Sequence, residues 1–130
     1  MPDAEGPDIA ADIAPPVDET TLSELLESTG GDRAFLAELI ETYLDDAPRH
    51  IAAMRGAARA ADAAEVARAA HALKGASGSI GATALSEQAR ALEMAARGGD
   101  LEGADGRVDA LEGELHRVAT ALRAVAGTPD

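Results

Sequence analysis

His71 stands in a run of residues, Ala-His-Ala-Leu-Lys-Gly over positions 70–75, whose types and spacing suit phosphoryl chemistry. Imidazole is a good nucleophile near neutral pH, because much of it is unprotonated there. Attack by one ring nitrogen requires the other to keep its proton, held by an acceptor. Lys74 places a point cation one turn away, where it can balance the charge of phosphoryl oxygens. These residue types therefore suit a histidine nucleophile whose target is an anionic group such as phosphoryl.

Helix periodicity predicts that His71 points outward. At about 100° per residue, the apolar positions of the same helix lie roughly opposite it; these are Val66, Ala69, Leu73 and Ile80. Glycine inside a helix costs about 1 kcal/mol relative to alanine, so Gly75 and Gly78 beside His71 indicate clearance for something large. The rim of that docking face is assigned to Ala67, Arg68 and Tyr43.

The charge distribution favours an anionic group at this histidine. The whole chain carries a formal net charge of −13, whereas residues 68–97 hold four basic and two acidic side chains. So acidic a protein repels a phosphate backbone, and Phe35 and Tyr43 are its only aromatic residues, so nucleic-acid binding is not expected. The basic island around His71 suits an anion held there.

The chain ahead of the helices differs sharply in composition. Residues 1–18 hold four prolines and five acidic residues with no basic residue. Such a segment cannot bury enough apolar surface to order itself, so it predicts a disordered acidic tail over 1–18 and one folded domain over 19–126. No run approaches the roughly 18 apolar residues of a membrane span, and no secretory signal is recognised. We expect a cytoplasmic protein.

The remaining sequence is rich in Ala, Leu, Glu and Arg, which favour helix. Thr20 or Thr21 is expected to cap a short first helix. Asp32 caps the next, whose apolar stripe includes Phe35 and Tyr43 as core residues. Pro48 leaves two options open: a kink in that helix, or the start of a new one.

Later helix boundaries are marked by an acidic cap and by glycines. Asp62 and Glu65 have the form of a capping box that opens the helix of His71, and Gly78 and Gly81 mark its end. Gly98-Gly99 ends a further helix, and the last spans about 104–125. Short connections between long amphipathic helices predict an all-α protein, an antiparallel up-and-down four-helix bundle with an extra short N-terminal helix.

The stretch AHALKGASGSIGATALSEQARALE, residues 70–93, resembles the signature of histidine phosphotransfer (HPt) domains. That pattern is H-x-L-K-G, a glycine six residues later, a leucine, and a Leu-Glu or Leu-Gln pair. The resemblance spans roughly residues 20–125. It implies that His71 is phosphorylated, that Lys74 steadies the phosphoryl group and that Gly75 permits docking. Glu93, which helix periodicity places at the edge of the apolar stripe of the adjacent helix, would orient the imidazole. The alternative is a solvated Glu93 that pairs with Arg90 or Arg97.

By the same resemblance, the chain is a phosphorelay carrier whose partners are receiver domains of response regulators and hybrid kinases. It is expected to act as a monomer, without a cofactor or a nucleotide site of its own. Ala72 and Ala76 stand where Ser or Thr is frequent, which removes a helper hydrogen bond. Two other functions stay open: a module that docks receivers without phosphotransfer, and an enzyme with its own phosphatase or kinase activity.

Other site types fit the residues less well. The three histidines lack zinc-ligand spacing, so no metal is expected, and His50 and His116 are assigned to the surface. The glycines of residues 75–81 follow a helix rather than a strand, and no Lys-Ser/Thr pair closes them, which argues against a phosphate-binding loop. Ser77 and Ser79 lack the G-x-S-x-G frame of a hydrolase.

Overall fold

The computed structural model describes residues 15–127, and that part of the chain is helical without strands. Its five helices are α1 (Glu19–Ser28), α2 (Arg33–Arg59), α3 (Ala63–Ser79), α4 (Thr83–Arg97) and α5 (Ala104–Ala126). The helix α3 packs against α2 and α4, while α5 packs against the same two helices and closes the bundle. The predicted all-α four-helix bundle with a short N-terminal helix is confirmed.

Acidic side chains begin the first three helices, although not all as predicted. Asp32 accepts the Phe35 N–H at 3.0 Å, and Asp62 accepts the Glu65 N–H at 3.1 Å. The second half of the capping box is missing, because the Glu65 carboxylate pairs with Arg68 instead. The cap predicted for α1 at Thr20 or Thr21 is wrong.

The cap of α1 is Asp18. Its carboxylate accepts the Thr20 N–H and the Thr21 hydroxyl, each at 3.0 Å. An aspartate placed just before the helix satisfies two donors at once, which neither threonine can do from inside the first turn.

Pro48 lies inside one continuous helix of 27 residues, so the option of a new helix beginning there is wrong. Ala47 and Ile51 are both buried on either side of it, which keeps one apolar face in register along α2. Proline removes one backbone N–H from the helix, and here its ring lies on the exposed side. Packing of that face therefore outweighs the loss.

The core runs between the helices and is built of aliphatic side chains. Its largest members that are almost wholly inaccessible are Ile40, Met54, Leu73, Leu85, Leu92, Leu111 and Leu122. The core position predicted for Phe35 is wrong, because Leu36 takes the buried place in the first turn of α2 and Phe35 is 44% exposed. Tyr43 is buried as predicted for the core, and its hydroxyl lies 2.8 Å from Ser77 Oγ.

The end of the predicted tail packs on the bundle. Val17 is buried, and the Asp18 N–H donates to the Gly81 carbonyl at 2.7 Å, which ties the start of α1 to the turn between α3 and α4. Most of the predicted tail, residues 1–14, lies outside the described residues. Among the helices described, none is long and apolar enough to cross a membrane.

Candidate functional site

His71 lies midway along α3 with its side chain 60% exposed, as the helix periodicity predicts. The opposite face of α3 carries Val66 and Leu73, which are fully buried. Because those two residues anchor the helix, the ring of His71 is presented on a rigid element rather than on a loop. A large molecule can therefore reach it from solvent.

Glu93 of α4 holds one side of this ring. Its Oε2 lies 2.9 Å from His71 Nδ1, and the glutamate side chain is only 5% exposed. A carboxylate accepts a hydrogen bond, so the contact favours the imidazole tautomer that carries its proton on Nδ1. The other nitrogen, Nε2, then keeps its lone pair for attack. The predicted contact between Glu93 and the histidine is present.

Two cations hold the buried carboxylate of Glu93 in its charged form. Arg97 donates to Oε2 from Nε at 2.9 Å and from Nη2 at 2.6 Å. The Lys74 ammonium lies 2.9 Å from the other oxygen, Oε1. Burial alone would raise the pKa of Glu93, but its contacts with Lys74, Arg97 and His71 outweigh burial and lower that pKa to about 2.

Lys74 is therefore paired with Glu93 in this structure. Its contact with Oε1 is an ion pair without hydrogen-bond alignment, since that oxygen has no hydrogen-bond partner among the described residues. The lysine side chain is 29% exposed, so its ammonium lies near the surface beside His71. It can attract an anion there while it also balances the glutamate.

The two glycines assigned to clearance differ in what surrounds them. A Cβ added at Gly75 would meet nothing within 4 Å, so the space beside His71 is open to a partner. A Cβ at Gly78 would lie 3.4 Å from Ser86 Oγ, which donates across the helix pair to the Lys74 carbonyl at 2.9 Å. Gly78 is exposed, yet it also makes room for this bond between α4 and α3.

An open groove of about 600 Å³ runs beside the histidine, between the start of α3 and the end of α4. Small side chains line most of it, and basic ones flank it: Ala63, Ala64, Ala67, Arg68, His71, Ala96, Arg97 and Gly99. Arg68 is 70% exposed beside this groove, whereas Ala67 lines the groove but is itself buried. Arg68 is ion-paired with Glu65.

Tyr43 is not part of that rim. It is 5% exposed, and its hydroxyl is bound to the buried Ser77. Burial raises the pKa of Tyr43 to about 12, although the Ser77 contact lowers it in part. The rim assignment fails because Tyr43 lies on the stripe of α2 that faces α3, where its ring packs in the core.

Comparison with known proteins identifies the family. A family model described as the Hpt domain matches residues 38–121. The chain belongs to the Hpt domain family.

Its structure is similar to that of histidine-containing phosphotransfer protein B (HptB) from Pseudomonas aeruginosa PAO1, with a TM-score of 0.83 and 26% sequence identity. The match covers 91% of this chain and 100% of HptB. No curated protein sequence matches. The protein has a histidine phosphotransfer role in phosphorelays, where Hpt domains interact with receiver domains.

Within this Hpt domain, the structure gathers His71, Lys74, Gly75 and Glu93 at one place on the α3–α4 surface. The other histidines lie elsewhere: His50 beside Tyr43, and His116 in a depression between α2 and α5. Among residues 15–127, no group of three or more His, Asp or Glu side chains is placed to hold a metal ion.

The role of Arg97 at the site was not predicted, because the sequence analysis considered it only as a member of the basic island and as the partner of a solvated Glu93 that has no role there. The signal was its position four residues after Glu93, a spacing at which a helix brings opposite charges together. That spacing is common on exposed faces, so it did not distinguish a surface ion pair from a contact with a buried carboxylate.

Proposed function

We propose that His71 is the residue through which this Hpt domain accepts and donates a phosphoryl group. The observation that carries the proposal is the exposed ring with Nδ1 held by Glu93 at 2.9 Å. That arrangement leaves Nε2 facing solvent as the attacking atom. The open space at Gly75 supports the approach of a partner domain from that side.

In the forward step, His71 Nε2 attacks the phosphorus of a receiver phosphoaspartate. The bond from phosphorus to the aspartate oxygen breaks, and the electron pair leaves with the carboxylate. The imidazole ring becomes cationic because Nδ1 keeps its proton, and the Glu93 carboxylate stabilises that charge. In the reverse step, the aspartate of another receiver attacks the same phosphorus and the neutral ring leaves.

The basic side chains around the ring suit a dianionic phosphoryl group. Lys74 lies one turn along α3 from His71, and Arg97 lies one turn along α4 from Glu93, so both cations reach the carboxylate that holds the ring. We assign phosphoryl charge balance to Lys74, docking clearance to Gly75, imidazole orientation to Glu93 and the docking rim to Arg68, beside the groove wall that Ala67 forms. Desolvation by a docked partner would strengthen each of these charge interactions.

The partners in this proposal are the receiver domains of response regulators or hybrid kinases. The protein acts as a monomeric carrier in the cytoplasm. The partner domain supplies both the phosphoryl donor and the metal ion that the transfer needs. The helices support a monomer, since they bury their apolar faces against one another, and Phe35 and Met94 are the exposed large apolar side chains of residues 15–127.

The test compares the parent with His71→Gln, using phosphoramidate and phosphorylated receivers as donors. We expect the variant to accept no phosphoryl group and to keep its helical circular dichroism, because an exposed side chain contributes little packing. The matched control is His116→Gln, which removes another exposed histidine and should accept like the parent.

Phosphorylation of His71→Gln at the parent rate would refute the assignment. A parent that binds receivers but takes no phosphoryl group from either donor would favour the alternative, a docking module without phosphotransfer.

A further inference from the structure

We propose that Arg97 is a positioning residue for phosphotransfer, one that holds the Glu93 carboxylate in the place from which it orients His71. This inference rests on the proposed function of His71 and names a further residue of the same site. Arg97 does not contact the imidazole, so any effect it has on His71 passes through Glu93.

The contacts of Arg97 converge on one oxygen. Both its Nε and its Nη2 lie on Glu93 Oε2, at 2.9 and 2.6 Å. The same oxygen accepts from His71 Nδ1 at 2.9 Å. A planar guanidinium with two donors on one atom fixes where that atom lies, whereas a single ammonium fixes only a distance.

The negative charge of Glu93 is a second reason why Arg97 is needed. A buried carboxylate that lacks a counterion is unfavourable by several kcal/mol, and Glu93 has Lys74 on Oε1 and Arg97 on Oε2. When a phosphoryl group arrives at Nε2, it competes with Glu93 for the lysine charge. Arg97 keeps Glu93 neutralised on the histidine side, so Lys74 becomes available to the phosphoryl oxygens without leaving a bare buried charge.

This arrangement makes the role of Arg97 depend on the charge of Glu93. Glutamine at position 93 would present an amide, which can accept from His71 Nδ1 but needs no counterion. We therefore expect Arg97 to matter in the parent and to matter little in a Glu93→Gln background. A residue that merely stabilised α4 would show the same effect in both backgrounds.

The experiment uses the full chain in four forms: parent, Arg97→Gln, Glu93→Gln and the double variant. Long-range proton–nitrogen NMR at neutral pH reports how the His71 proton is shared between Nδ1 and Nε2. Phosphoramidate as donor reports acceptance without any partner domain: Nε2 attacks phosphorus, the P–N bond breaks and ammonia leaves. Arg97→Lys tests whether charge alone restores the function.

The matched control is Arg90→Gln. Arg90 is an exposed arginine on the same helix, and in the described part of the chain it takes no part in the Glu93 contacts. It removes the same charge, so it corrects for the general attraction of a basic surface for phosphoramidate.

We expect Arg97→Gln to lower the share of the Nδ1–H tautomer and to slow acceptance about tenfold, the usual scale for a charged hydrogen bond. Arg97→Lys should recover part of the rate, and Arg90→Gln should match the parent. In the Glu93→Gln background, the change at position 97 should alter the rate less than about twofold.

An Arg97→Gln variant with the tautomer balance and acceptance rate of Arg90→Gln would overturn the proposal, as would an equal loss in both backgrounds at position 93. A parent that accepts no phosphoryl group would instead count against the proposed function. In that case the tautomer measurement still decides whether Arg97 positions Glu93.

Discussion

At the scale of single residues, one buried carboxylate organises the site. Glu93 binds His71 and Arg97 through Oε2 and Lys74 through Oε1, so three basic side chains from two helices meet on it. The arrangement separates two tasks that both need positive charge. Arg97 and Lys74 keep Glu93 ionised, and Lys74 is the cation that we assign to the phosphoryl group.

The open space at Gly75 predicts a selective effect on docking. Gly75→Gln should improve helix propensity, and stability with it, by up to about 1 kcal/mol, since nothing lies within 4 Å of an added Cβ. Phosphotransfer from a receiver that phosphorylates the parent should slow by at least tenfold, because the new side chain occupies the approach to the ring. Acceptance from phosphoramidate, which needs far less room, should change little.

The control for this prediction is Gly113→Gln. Gly113 is an exposed glycine inside α5, it also has nothing within 4 Å, and its helix lies away from His71. Equal receiver transfer by the two glycine variants would show that Gly75 provides no clearance.

Features of single residues could be predicted from the sequence where the direction of a side chain depends only on its own helix. The outward direction of His71 and the position of Glu93 at the edge of an apolar stripe both depend on helix periodicity alone. The rim assignment of Tyr43 failed because it depends on which neighbouring helix covers that part of α2. The contact of Arg97 with a buried carboxylate likewise becomes visible only when α3 and α4 are packed.

At the scale of elements, the α3–α4 pair is the rigid frame of the site. Ser86 of α4 donates to the Lys74 carbonyl of α3 at 2.9 Å, close to the level of the functional side chains. At the turn between these helices, Gly81 accepts the Asp18 N–H at 2.7 Å. The segment before α1 therefore braces the connection between the two helices that carry the site.

Among the glycines in the described turns, we expect Gly81 to be the one whose substitution by alanine destabilises the fold most. Its φ of +86° disfavours any side chain, and an added Cβ would lie 3.0 Å from Thr21 Cβ and 3.1 Å from the Asp18 carbonyl oxygen. We expect Gly81→Ala to lower the free energy of unfolding by about 2 to 4 kcal/mol, of which about 1 to 2 kcal/mol is backbone strain. Urea denaturation followed by circular dichroism measures the change.

Gly99→Ala separates backbone strain from steric contact. Gly99 has a φ of +80°, but an added Cβ there would meet nothing within 4 Å. It should show the strain alone. Equal destabilisation of the two variants would show that the close approach of Gly81 to Thr21 and Asp18 adds no cost beyond backbone strain.

Element boundaries were predictable where a local signal decides them, as at Asp32, Asp62 and Gly98-Gly99. They were not predictable where packing competes with a local preference. Pro48 favours a helix start, but the continuous apolar face of α2 keeps the helix intact through it. Asp18 belongs to a stretch whose composition predicts disorder, yet its contact with Gly81 makes it the cap of α1.

At the scale of the whole molecule, a strongly acidic chain carries a site built on basic side chains. The full chain carries a formal net charge of −13, so partial protonation of its exposed carboxylates on mild acidification relieves repulsion among them. Glu93 acts in the opposite direction, because its charge is matched by Arg97 and Lys74. The acid stability of the protein is therefore the balance of many exposed carboxylates against the two buried ones of residues 15–127, Glu93 and Glu114.

The contribution of Glu93 can be isolated by comparing the parent with Glu93→Gln between pH 7 and pH 2. Its pKa of about 2 in the folded protein lies below the usual value of 4.5. Its stabilisation is therefore fully present above about pH 4.5 and is lost as the pH falls towards 2. We expect the free energy of unfolding of the parent to fall by about 1 to 3 kcal/mol more than that of the variant across that window.

The control is Glu112→Gln, which removes an exposed carboxylate paired with Arg55 on the opposite side of the bundle. Its free energy of unfolding should differ from that of the parent by less than about 1 kcal/mol over the same pH range. A parent and a Glu93→Gln variant whose unfolding free energies run parallel from pH 7 to pH 2 would show that Arg97 and Lys74 do not hold this carboxylate in its charged form.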